Sequence, residues 1–332
     1  GQRSRLHLNY RAGYRVYHQK RDLDGTDHNA NITYTYQTSR NSRLQLSNYL
    51  NSSLNDPYSS FGPDLGTSID WTASPSYSVL FFPRRVTQNR AGGRFDYNVT
   101  EKTHVNFFAY YLNHWYSEQR FRDVEAVEVG AGLNQVVTSW MRISSSYSTY
   151  LYSSNDRFRE NQIHRIEAGR FRFMVSRDVE VFASGGIEIL NRRDQWHTYP
   201  MVRIGISRFS INNVIYANYQ RTMTSALGYD RVLWTDSVTV GLGQRISDRS
   251  NLRLSTSYTR SSDFDLRGLL RGLYGQAQFE YALLSNLFAS VNYSHQYQEN
   301  TITVLTDVPH YDRSMIFAGL RFSWPAMRLR SE

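Results

Sequence analysis

The sequence predicts an all-β fold: a single closed antiparallel up-and-down transmembrane β-barrel of about 16 strands, occupying residues 1–332. Three observations predict it. Apolar and polar residues alternate along nearly the whole chain, and side chains alternate across a strand, so each segment has one apolar and one polar face. Short polar turns alternate with longer connections, as in a barrel whose turns and loops lie at opposite ends. The content of Tyr 25, Phe 17 and Trp 6 is high, as aromatic girdles at two membrane interfaces require.

The alternation places sixteen strands, at roughly 4–18, 28–38, 43–54, 86–99, 103–118, 124–136, 139–153, 160–174, 178–191, 196–208, 212–224, 233–245, 250–262, 270–284, 286–299 and 310–324. The first offers Leu6, Leu8, Tyr10, Ala12, Tyr14 and Val16 to lipid and turns His7, Asn9, Arg11, Gly13 and Arg15 inward. The last offers Ile316, Ala318, Leu320, Phe322 and Trp324, backed by Arg313, Met315, Phe317, Gly319, Arg321 and Ser323. A one-residue slip would put Arg and Gln into lipid, so these registers are strongly fixed. Strand 8 breaks the pattern. Arg165, Glu167, Arg170 and Arg172 share one face only if a β-bulge lies near Gly169. Strand 11 raises the same conflict around Arg221.

Short turns such as Ser39–Asn41, Thr100–Lys102, Ser176–Asp178, Ser247–Arg249 and Ser285–Asn286 follow the even strands. An even strand count puts both termini on the periplasmic side. The longest connection, an outer loop at about 55–85, carries Pro57, Pro63, Pro75 and Pro83 and the apolar run Ser78–Phe82. A connection of that length is expected to do something, here to fold into the mouth as a constriction or plug.

Mean hydropathy is −0.56 and no run of about 18 apolar residues exists, which excludes a transmembrane helix but not a barrel. There is no cysteine, hence no disulfide, thiolate metal site or attached c-type haem in this chain. Gly1 stands almost at the first strand, as in a mature or trimmed chain. The net charge of +9 is nearly all arginine, Lys20 and Lys102 being the only lysines. The arginines are spread over every strand instead of forming one stripe, so no nucleic-acid surface is expected. The partners expected are outer-membrane lipid and lipopolysaccharide.

The inward face is the informative surface. Its candidate basic residues are Arg11, Arg15, Arg94, Arg142, Arg253, Arg313 and Arg321, and its acids are Asp96, Glu128, Glu188 and Glu280. Tyr49, Tyr150 and Tyr274 join them among Asn, Gln, Ser and Thr. These charges either pair across strands and satisfy one another, or line water and concentrate anions. No enzyme, metal site or cofactor is expected. Ser294 and His295 point to opposite faces, and His104 and His114 lie about 33 Å apart along one strand. Asp22–Asp27 lacks the spacing and the bidentate Glu of a calcium loop.

Turn-centred units recur at Tyr97–Val105, Phe173–Val181, Arg245–Leu254 and Tyr281–Ala289. The run from Tyr219–Met223 through Thr235–Leu242 to Ser257–Arg260, with the closing Tyr311–Phe322, resembles Gram-negative outer-membrane β-barrel proteins of exopolysaccharide synthesis and export systems. The likeness covers the last two thirds of the chain. It implies a passive conduit in exopolysaccharide export, with a polysaccharide or a periplasmic export partner. Alternation and spacing imply only the barrel, and leave open a general or anion-preferring porin, a barrel sheath for a multihaem cytochrome, and a structural barrel with a filled lumen.

Overall fold

The computed structural model describes residues 3–17, 24–54, 85–117, 123–153, 161–192, 195–226, 231–263, 268–301 and 311–328. In chain order the strands are β1 (Ser4–Tyr17), β2 (Gly25–Gln37), β3 (Ser42–Leu54), β4 (Arg85–Asn98), β5 (Thr103–Tyr116), β6 (Val124–Val136), β7 (Met141–Ser153), β8 (Asn161–Met174), β9 (Val179–Arg192), β10 (Gln195–Phe209), β11 (Asn213–Ala226), β12 (Arg231–Ser247), β13 (Ser250–Asp263), β14 (Leu269–Ala282), β15 (Leu287–Asn300) and β16 (Tyr311–Arg328). Each pairs antiparallel with the next, and β16 returns to β1 to close the barrel. Most boundaries fall where the alternation put them; β16 runs past Trp324 to Arg328. The connection expected to act as a plug lies outside the described residues, apart from Arg85 at its end.

The outward face is apolar. Ile32, Leu46, Phe107, Ile204, Val240 and Leu320 all stand on it exposed. Such a band around a closed wall suits hydrocarbon, and closure leaves no strand edge for lipid to meet. Aromatic side chains mark its two ends. Trp140, stacked on Phe173, and Tyr97 and Tyr281 lie near the short turns; Tyr14, Trp115 and Trp196 lie toward the loop end.

The bulge expected in β8 is present at Gly169. Its φ is 79°, and the ladders to both β7 and β9 shift register there. A positive φ suits glycine, which has no Cβ to clash. The extra residue brings Arg172 back to the interior face shared by Arg165 and Glu167. Strand β11 needs no such device. Its ladder to β12 is unbroken, and Arg221 faces outward, neutralised by Asp236 through two hydrogen bonds of 2.6 and 3.0 Å. Pairing within the outer wall resolves that conflict, not a bulge.

Five interior rings lie over glycines of an adjacent strand: Phe317 over Gly13, Tyr110 over Gly92, Phe108 over Gly130, Phe182 over Gly205 and Tyr216 over Gly241. A Cβ at any of these glycines would collide with its ring. The rings therefore rest against the wall.

One seam is incomplete. The β10–β11 ladder runs only from Phe209–Val214 to Val202–Arg221, although β10 begins at Gln195 and β11 continues to Ala226. The neighbouring β9–β10 and β11–β12 ladders continue past that level. Pro200, which has no N–H to donate, stands two residues beyond the last pair.

Candidate functional site

The interior carries its charge in clusters, each placed by the strand period. On β4, Arg94 and Asp96 are two residues apart and so share the inward face. Arg94 Nε donates to Asp96 at 2.7 Å, Arg43 of β3 reaches the same carboxylate at 3.0 Å, and His104 lies 3.2 Å from it. Near the closing seam, Arg321 of β16 holds Glu280 of β14 through Nε at 3.2 Å and a terminal nitrogen at 2.9 Å. Arg11 of β1 is the register partner of Arg321. Its guanidinium lies over the Phe317 ring at 4.9 Å and donates to Ser290 of β15 at 3.3 Å. Deeper toward the loops, Arg90 pairs with Glu128 at 3.1 Å and lies over Tyr110. Arg165 meets Glu188 at 2.5 Å, and Arg203 stands 4.0 Å from Glu167.

Of the residues named from sequence, Arg11, Arg94, Asp96, Glu128, Glu188, Glu280, Arg313 and Arg321 meet in these interior contacts or, for Arg313, donate to Gln296 within the wall of β15 and β16. Arg253 and Arg142 follow the inward parity of their strands and pair in register with Gln278 and Arg172. The side chain of Arg15 lies outside the described residues; its backbone pairs with Gly25 and Phe317. Among the named arginines, Arg94 and Arg321 hold carboxylates, and Arg313 is buried. Arg43, Arg90 and Arg203 are not among the residues named from sequence, whereas Arg165 and Glu167 are, through the bulge that lets them share a face with Arg172. Strict alternation with Gln45, Ser47 and Tyr49 would have found Arg43, and with Gln88 and Arg94 it would have found Arg90.

Toward the loop end one part of the wall turns inward. Past the last β10–β11 pair, Thr222, Met223 and Thr224 of β11 are all buried, as are Val232 and Leu233 of β12. Both faces of this hairpin end are therefore covered by protein. Met223 and Val232 pack with Leu112, Val124, Ala126, Ile163 and Leu190 of the interior face, flanked by Tyr110, Tyr150, Tyr199 and Trp234. The Tyr199 and Trp234 rings stand 5.2 Å apart. Tyr199 belongs to the inward face of β10 and Trp234 to the outward parity of β12. That contact requires the β11–β12 end to lie inside β10, so the two ends of the sheet overlap there.

Solved structures similar to this one include bacterial outer-membrane barrels. OpdK of Pseudomonas aeruginosa, crystallised with vanillate, superposes with a TM-score of 0.55 at 10% identity, covering 98% of this chain and 100% of that one. OccK11 (OpdR) of the same organism gives 0.53 at 11%, covering 97% and 96%. OmpT, an outer membrane protein of Vibrio cholerae, gives 0.52 at 10% in its trimer form, covering 97% and 99%. No family model and no curated protein matches the chain. At such identities the likeness is one of fold, that of outer-membrane β-barrels, and none of these three is described as belonging to an exopolysaccharide system.

Proposed function

We propose that this chain is a passive pore of the Gram-negative outer membrane, with both termini periplasmic, that passes small hydrophilic solutes and prefers anions. The observation that carries this is the sharing of carboxylates inside the barrel. Asp96 serves both Arg94 and Arg43, and Glu280 faces both Arg321 and Arg11. Each cluster is left with net positive charge between walls of low dielectric, which focuses anions. No catalytic or cofactor role belongs to this reading. Reversal potential in a salt gradient across a planar bilayer tests it, with vanillate and a neutral disaccharide as further probes. Chloride permeating faster than potassium supports it. A barrel that conducts nothing would instead be a structural one with a filled lumen.

A second reading, passage of an exopolysaccharide, draws on the sequence resemblance and on the amide and phenol groups of the interior. Asn29 donates to Tyr49 at 2.5 Å across the inward faces of β2 and β3. A deletion strain that exports its polysaccharide normally removes that reading and leaves the anion pore.

A further inference from the structure

We propose that the overlap of β11 inside β10 is a closed gate, and that it opens when β11 slides outward and re-pairs with β10, lengthening the circumference of the barrel. Its role as a gate rests on the pore reading above.

The latch is one carboxylate. Glu188 of β9 is fully buried and accepts the Met223 backbone N–H at 2.5 Å and the Thr222 hydroxyl at 2.7 Å. Arg165 donates to Glu188 at 2.5 Å and to Thr222 at 3.0 Å. In a complete barrel the N–H groups of this edge would bond to β10. Here a side chain substitutes for a missing strand neighbour, as a buried N–H requires. The bond is charge-assisted, and it ties β11 to an interior residue two strands away.

The same sequence also fits the alternative position. Met223, Val232 and Trp234 have the outward parity shared by Val238 and Val240, which face lipid. An apolar face suits hydrocarbon as well as it suits the cluster around Leu112 and Leu190. Continuing the existing register past Val202–Arg221 would set Met201 opposite Thr222, Pro200 opposite Met223 and Tyr199 opposite Thr224. That would return Met223 and Trp234 to the outer wall, on the side of the exposed Trp196. New ladder bonds would offset the loss of the latch. Pro200 withholds one of them, which keeps the re-paired state from dominating. Two packings of one element, close in free energy, are what a gate needs.

The chain has no cysteine, so a trap can be introduced cleanly. Tyr199→Cys with Thr224→Cys places the pair opposite only when the seam is re-paired, at a spacing a disulfide spans. The rate of cross-linking by a mild oxidant is measured on the folded barrel in vesicles, with and without Glu188→Gln. Cross-linking on the order of tenfold faster with Glu188→Gln is expected, because a hydrogen bond to a charged acceptor is weakened. The cross-linked barrel should conduct more than the reduced one. Should Glu188→Gln fail to fold, Trp234→Ala loosens the same overlap and replaces it. A pair that never cross-links, or does so at one rate in both backgrounds, overturns the gate and leaves the pore reading intact. Faster cross-linking into a barrel that still conducts nothing overturns the pore reading and the gate with it.

Discussion

Arg11 and Arg321 are register partners across the seam that closes the barrel, and the carboxylate of Glu280 faces both. Like charges opposed on one face of a sheet repel, so Glu280 is what makes the pairing tolerable. Glu280→Gln should shift the reversal potential further toward anions and lower stability by about 1–3 kcal/mol. Bilayer recordings and urea unfolding of the folded barrel check the two effects separately.

The reverse change should reverse the sign. Arg11→Gln combined with Arg321→Gln removes two interior cations and leaves Glu280 unneutralised. Anion preference should fall at low salt. The difference from wild type should shrink near 1 M salt, where screening acts over about 3 Å. An unchanged reversal potential in dilute salt would place these charges off the conducting path.

Gly169 should tolerate a side chain poorly. Its φ of 79° would cost alanine about 1–2 kcal/mol, and the Phe171 ring crowds the position. Gly275→Ala, where an added Cβ meets nothing within 4 Å, should leave the urea midpoint near wild type. Equal midpoints for the two variants would mean the bulge is not strained.

The outer wall makes the most severe prediction. Ile204 of β10 is half exposed on the lipid-facing side. Ile204→Arg should cost about 2–4 kcal/mol if the residue lies near the bilayer midplane. Asn218→Arg, of inward parity on the adjacent β11, should cost much less. Retention of the heat-modifiable gel shift after folding into vesicles reports both.

Period-two alternation made the wall legible from sequence, because a lipid-facing strand cannot hide a misplaced charge. The bulge was legible for the same reason: four charged residues at Arg165, Glu167, Arg170 and Arg172 could not otherwise share a face. Arg221 misled because an outward arginine looks forbidden until its partner is known. Asp236, opposite it in register, neutralises it, and that pairing depends on the β11–β12 register. The overlap at β10–β11 left almost no trace in the alternation. Met223, Val232 and Trp234 carry an ordinary lipid-facing pattern, and only three-dimensional pairing shows that they lie inside. Pro200 was the one local clue, since a proline in a wall strand weakens its ladder.

The rings resting on glycines give this tube a diameter control built into its wall. Each ring lies low only because the residue under it has no side chain. Exchanging Gly241 for alanine would tilt Tyr216 away from the wall and toward the axis, because the added Cβ meets only that ring and no strand backbone. The bore could thus be narrowed at one height by a single substitution there, whereas at Gly13, Gly92 and Gly130 the added Cβ would also press on strand backbone. Solute size selection in this architecture is therefore separable from strand number, and open to change in small steps.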